Sequence, residues 1–170
     1  VMAPRGIAFI LSDLARSPKT WLVTGVAGFI GSHLFDVLMN LEQRVIGLDN
    51  FSTGKRHNLT GVLAGVHPGQ RKRFKLIEGS VNHYDTCFRA CECVDYVLHH
   101  SFVPSDELSI DDTLRNHASN VNGFLNMLVA AKKQRVQRFV YASCSSVYGD
   151  NPLLPQVESN LGRPLTLNAV

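Results

Sequence analysis

The chain has 170 residues, 45% of them hydrophobic and 18% charged, with a formal net charge of +3. That length and balance suit one compact domain burying roughly 70% of its unfolded surface, and they exclude a disordered, low-hydrophobicity chain. The basic residues are scattered apart from Arg71, Lys72 and Arg73, with no basic helix face beside them, which argues against nucleic-acid binding.

Residues 1–18 read as a short leader helix, closed off by Ser17 and Pro18 and lying against the outside of a domain that covers 19–170. Its apolar run from Ile7 to Leu11 is interrupted by Ser12 and Asp13, too short for a membrane span and a poor signal segment, so a cytoplasmic protein is expected. From Thr20 onward short apolar runs alternate with amphipathic stretches, the pattern of a parallel sheet covered by helices on both faces. Strands are expected at Trp21 to Thr24, Arg44 to Leu48, Phe74 to Ile77, Val94 to His99 and Arg138 to Ser143. Helices are expected at Phe29 to Leu41, Leu59 to Val66, Tyr84 to Cys91 and Leu114 to Gln134. In the last of these Val121, Phe124, Leu125, Leu128 and Val129 recur at three- and four-residue spacings and predict the buried stripe. The four cysteines form no CxxC pair, Cys87 and Cys91 would share one helix face, and all four are expected to be buried thiols rather than metal ligands.

Gly25, Gly28 and Gly31 in TGVAGFIGSHL set a GxxGxxG turn between the first strand and the first long helix. Gly25 permits the tight exit from the strand, Gly28 lets a pyrophosphate approach the backbone, and Gly31 lets helix and strand pack closely. The following helix start offers free amide groups and a partial positive charge to an anion. Asp49 ends the second strand 18 residues after Gly31, where a carboxylate can accept hydrogen bonds from adenosine ribose hydroxyls. The whole reads as an α/β, three-layer, Rossmann-like doubly wound sheet that binds NAD. Lys55 and Arg56 lie close enough to Asp49 to keep NADP open as the alternative.

The GxxGxxG spacing, together with VIGLDNFSTGKRHNL, VDYVLHH, NVNGFLNML and YASCSSVYGDNPLLPQVE, resembles the extended short-chain dehydrogenase/reductases, the NAD-dependent epimerase/dehydratase family, and within it the UDP-N-acetylglucosamine 4-epimerase group. By that resemblance Gly25, Gly28, Phe29, Ile30 and Gly31 hold the pyrophosphate, and Asn50, Phe51, Thr53 and Gly54 line the adenosine end with Asp49. Ser80 and Val81 sit beside the adenine, while His100 and Asn120 face the cofactor from the fourth strand and the long helix. His99, at the same strand end, is equally well a member of a polar rim. The resemblance also implies a UDP-sugar substrate, transient oxidation and re-reduction at C4 for polysaccharide precursor synthesis, and a homodimer paired through two helices, one of them matching the long helix. A nucleotide-sugar 4,6-dehydratase or decarboxylase of the same family is the runner-up, and a dinucleotide-binding fragment without turnover the third reading.

The chain also departs from the family pattern. The family hydroxyl position falls on Cys144, flanked by Ser143 and Ser145, and the position of the family's catalytic tyrosine falls on Asn168, with the chain ending at Val170 before the matching lysine. Ser80 stands where an acidic residue is usual, and Phe102 and the Ser105, Asp106, Glu107 stretch replace smaller residues. The expectation is therefore an incomplete NAD-binding domain lacking the substrate domain, inactive by itself and marginally stable or self-associating.

Overall fold

The computed structural model describes residues 6–103 and 113–163. Five strands, β1 (Thr20–Thr24), β2 (Arg44–Asp49), β3 (Phe74–Glu78), β4 (Tyr96–His99) and β5 (Arg138–Tyr141), form one sheet in the order β3-β2-β1-β4-β5. Every neighbouring pair is parallel. The helices are α1 (Ile7–Arg16), α2 (Phe29–Asn40), α3 (Arg56–Gly65), α4 (Pro68–Arg71) and α5 (Tyr84–Ala90), followed by α6 (Thr113–His117) and α7 (Gly123–Lys133). A π-helical turn, Ala118–Asn122, joins α6 to α7, and a 3₁₀ turn, Ser145–Tyr148, follows β5. The strand order reverses between β1 and β4, which opens a crevice at their C-terminal ends, the place where open α/β sheets take ligands.

Side chains alternate across the strands and feed two cores. Leu22, Leu48 and Val97 point to one face, where Cys87 and Cys91 meet Met127, Ala130 and Ala131. Val23 and Val45 point to the other, where Phe35, Leu38 and Met39 recur on one side of α2 beside Leu59 of α3. Leu22, Val23 and Thr24 have no exposed surface, as expected of a central parallel strand buried on both faces. The fifth strand is different. Only Phe139 is half-buried in it, and Val140 and Tyr141 are 53% and 56% exposed.

The apolar stripe expected to be buried on the long helix lies on its outer side. Val121, Leu125, Leu128 and Val129 are exposed and Phe124 is half-buried, while Gly123, Met127, Ala130 and Ala131 face the core. The reason is the closeness of packing. A Cβ at Gly123 would come within 2.6 Å of the Val81 side chain, so Gly123, Ala130 and Ala131 take the inner side with the unbranched Met127, and the remaining apolar residues are left outside. The expectation of four buried cysteines also needs correction: Cys87 and Cys91 are buried, but Cys93 and Cys144 are exposed. Cys93 has a positive φ in the turn after α5, and Cys144 lies beyond the last sheet hydrogen bond, from Ala142 N–H to the His99 carbonyl. That same bond ends β5 two residues earlier than its apolar sequence suggests.

One buried side chain ties four segments together. The Gln43 amide, with no exposed surface, accepts hydrogen bonds from the Lys19 N–H (2.9 Å) and the Trp21 indole (3.1 Å). Its NH₂ donates to the carbonyls of Leu14 in α1 (2.9 Å) and Leu41 (2.7 Å). Every hydrogen-bonding position of the amide is filled. Beyond this latch α1 sits loosely over the sheet, leaving a cavity of about 540 Å³ lined by Phe9, Ile10, Leu14, Trp21, Tyr96 and Val140.

Candidate functional site

The first turn after β1 is fixed by its backbone. Gly25 adopts φ +65°, and a Cβ there would lie 2.6 Å from the His100 carbonyl oxygen, so any side chain would be both strained and obstructed. A Cβ at Gly31 would meet the Gly25 carbonyl oxygen at 2.1 Å. Gly28 faces open space apart from one contact at 3.2 Å and begins α2 without any side-chain cap. The first amides of α2 therefore point outward without helical partners, no acidic side chain competes for them, and Phe29 and Ile30 stand 79% and 53% exposed beside them. This is a fitting cradle for a pyrophosphate.

Asp49 closes the other side of the turn. It is buried, and its two carboxylate oxygens accept from the Ala27 N–H and the Phe51 N–H, both at 2.8 Å. Each oxygen keeps a lone pair for a ribose hydroxyl. Phe51 has φ +55°, which bends the chain so that Gly54 packs on Ala27 and on the Asp49 carboxylate. Asn50 and Thr53 are exposed on that bend, Asn50 accepting from the Ser52 N–H at 3.0 Å. Asn58 of α3 donates to the Ala27 carbonyl at 2.8 Å and so holds the turn from behind. Nothing in the spacing of the glycines points to Asn58, and only its place after GKRH marks it.

Thr24 organises the end of β4 across the crevice. Its hydroxyl oxygen accepts from the backbone N–H groups of His100 and Ser101, both at 3.1 Å. With both lone pairs in use, its proton goes to Nδ1 of His99 at 2.9 Å, which leaves the His99 proton on Nε2. His99 is 5% exposed and packs against Phe124 and Phe139. Burial, and secondarily the neighbouring His100, push its pKa down from 6.5 to about 4, so it stays neutral at physiological pH. His99 is therefore a core residue and not a polar rim. His100 is half-buried, its pKa is also lowered by burial, and its Nδ1 is buried without a hydrogen-bond partner. An orphaned polar atom beside the glycine turn is the kind of group a bound ligand satisfies.

Asn120 lies in the π-helical turn, which rotates its amide onto the loop leaving β4. It accepts from the Val103 N–H at 2.9 Å and donates to the Val103 carbonyl at 3.0 Å. Its amide holds that loop where it leaves β4 for the crevice. Val81 is 5% exposed with its side chain in the core, leaving its backbone to face any adenine, and Ser80 accepts from the Asn82 N–H at 3.2 Å. Phe102 is 47% exposed. Cys144 and Ser145 begin the exposed 3₁₀ turn after β5, where the Ser146 hydroxyl donates to the Cys144 sulfur at 3.0 Å. Burial pushes the Cys87 and Cys91 thiols up to about 11 and about 12, so those two remain protonated and inert. Asn168 and the Ser105, Asp106, Glu107 stretch lie outside the described residues. Among the described residues no cluster of three metal-ligating side chains occurs, and no helix is long and apolar enough to cross a membrane.

Known proteins resemble this chain in sequence and fold. The chain is 38% identical over 149 residues to UDP-glucuronic acid decarboxylase 1 of Arabidopsis thaliana, a match covering 88% of this chain and 32% of that protein. Its fold superimposes with a TM-score of 0.78 and 30% identity on the UDP-N-acetylglucosamine 4-epimerase from Methanobrevibacter ruminantium, solved in complex with UDP-N-acetylmuramic acid. That superposition covers 89% of this chain and 46% of the other. The UDP-glucose 4-epimerase of Thermus thermophilus, solved with NAD, gives a TM-score of 0.73 at 30% identity, covering 88% of this chain and 46% of the other. The chain thus spans a third to a half of the length of these relatives. Residues 21–169, nearly everything after α1, match a single family in sequence, and the chain belongs to the NAD dependent epimerase/dehydratase family.

Proposed function

We propose that this chain is the NAD-binding portion of a nucleotide-sugar 4-epimerase, of the UDP-N-acetylglucosamine or uronic acid type. The observation that carries the reading is the junction of the uncapped α2 N-terminus with the Asp49 carboxylate, which is buried, locked by two backbone N–H groups and still able to accept. Bound there, NAD supplies a reversible acceptor for the sugar's C4 hydride. The chain's own residues bind and orient. The α2 amides take the pyrophosphate, Asp49 takes the adenosine ribose, and Thr24 and Asn120 fix the β4 exit loop that borders the crevice. Cys144 and Ser145 stand on the exposed turn where the family places its sugar-facing hydroxyl.

In this reading the chain binds without turnover. Asn168 stands at the position of the family tyrosine, and an amide cannot take the C4 hydroxyl proton, a loss of about 10² to 10⁴ in rate for a general base. Unbridged thiols at Cys87, Cys91 and Cys93 suit a reducing, cytoplasmic setting. The exposed stripe Val121, Leu125 and Leu128, with Phe88 at 38% exposure, supports a homodimer through the outer side of α7. Sedimentation should then report a dimer, and Leu125→Glu a monomer. A decarboxylase of the same family is the second reading, favoured by the likeness to the Arabidopsis protein.

The test is calorimetric titration of the purified chain with NAD, beside Gly28→Trp, which fills the open side of the turn. Saturable binding that disappears in the variant is the expected result. No binding by a folded chain would sink the reading.

A further inference from the structure

Beside Asp49 lies a second carboxylate that the cofactor reading leaves without a role. Glu78 ends β3 in direct register with Asp49 at the end of β2, so two acidic residues stand on adjacent strand ends at the adenosine side of the crevice. A cation pairs with the second of them. Arg56, the first residue of α3, lays its guanidinium over the Phe51 ring at 3.9 Å from the centroid and reaches Glu78 Oε1 with Nη2 at 2.6 Å. Phe51 itself is held through its N–H to Asp49, so the four residues form a continuous row: Asp49, Phe51, Arg56, Glu78.

The row bears on which dinucleotide fits. A 2′-phosphate on the adenosine ribose brings close to two negative charges, about −1.5 to −2 at neutral pH, and needs an arginine fork to receive it. Arg56 is placed for that task, seven residues past Asp49 and stacked on the aromatic ring that follows it. Its fork, however, is turned to Glu78 and its charge is offset there. We propose that Glu78 is a specificity-determining residue that selects NAD against NADP by occupying Arg56. Asp49 excludes the phosphate by direct repulsion, and Glu78 excludes it by withdrawing the stacked cation. The inference rests on the reading of this crevice as an NAD site.

The test is a double-mutant cycle on the whole chain, Glu78→Gln, Arg56→Gln and both together, with NAD and NADP affinities measured by calorimetry and by competition at low and physiological salt. Both side chains are about 60% exposed, so the variants should fold, and far-UV circular dichroism checks it. Glu78→Gln should tighten NADP about fivefold while moving NAD less than twofold, the scale of one exposed charge pair, with the gain shrinking as salt rises. The double variant should lose the gain, and Arg56→Gln by itself should leave NADP within about twofold of the parent. An unchanged NADP/NAD ratio in Glu78→Gln, or a gain that survives loss of Arg56, would overturn the proposal while NAD binding stands. Failure of the folded parent to bind NAD would remove the site reading and this inference together.

Discussion

The C-terminal ends of β1 and β2 and the edge at β5 contrast within one sheet. At the first, polar groups are paired around the turn: Asp49 holds Ala27 and Phe51, Asn58 holds the Ala27 carbonyl, and Thr24 holds the first two amides after β4. At β5, Val140 and Tyr141 are half exposed and α1 covers the neighbouring strands only across a cavity. The difference is one of support. The glycines and Asp49 that shape the turn lie within one βαβ unit and are braced by Asn58 of α3 and by the exit of β4, whereas β5 has a single strand neighbour and little cover on its side chains. A site can therefore be organised at one end of a sheet whose other edge is loosely covered.

The sharpest way to break the ordered end is Gly31→Ala. Its methyl would overlap the Gly25 carbonyl oxygen, and backbone cannot move aside as a flexible side chain can. Urea denaturation should show a loss of about 3 kcal/mol or more, or no cooperative transition. Acid should act next. His99 takes its proton near 6.5 in the unfolded chain but only near about 4 in the folded one, so the unfolded state binds more protons between those values. Its contribution is intact above pH 6.5 and drains as pH falls toward 4, by about 3 kcal/mol at most. Denaturation at stepped pH should show the slope, and His99→Gln should flatten it. A slope unaltered in that variant would assign acid sensitivity elsewhere.

Thr24→Val keeps the shape and removes the hydroxyl, leaving the Ser101 amide without its acceptor, the His100 amide with the Thr24 carbonyl only, and His99 Nδ1 without its donor. About 2 kcal/mol of stability should go, with a weakening of NAD affinity that a change at β5 does not produce. At the loose end, Val140→Ser should stay within about 0.5 kcal/mol of the parent, because the side chain is already half in water. A large loss there would erase the contrast, since it would mean that β5 is covered in solution.

The same contrast explains what was legible in the sequence. GxxGxxG with Asp49 is a local pattern whose geometry follows from steric rules, and the alternation of strand and helix patterns points to the sheet, so fold and turn could be read together. The orientation of the long helix could not. Its apolar residues surround most of the cylinder, and the choice fell to Gly123, Ala130 and Ala131, whose smallness matters only once Val81 is known to lie opposite. The Asn120 contact to Val103 depends on a π-helical turn that periodicity does not announce. The Arg56 and Glu78 pair joins positions 22 apart on separate elements, and nothing in either local sequence couples them.

The Gln43 latch sets a boundary condition for anyone shortening this chain. A chain begun at Lys19 would lose the Leu14 carbonyl and leave one amide hydrogen of a fully buried side chain with nothing to donate to. Such an orphan costs about 1–3 kcal/mol unless water replaces the lost carbonyl. Drawn by satisfied hydrogen bonds, the folded unit therefore includes α1, although the glycine turn lies wholly beyond it; begun at Lys19, the unit keeps position 43 fully paired only with water in place of the Leu14 carbonyl or with a different residue there.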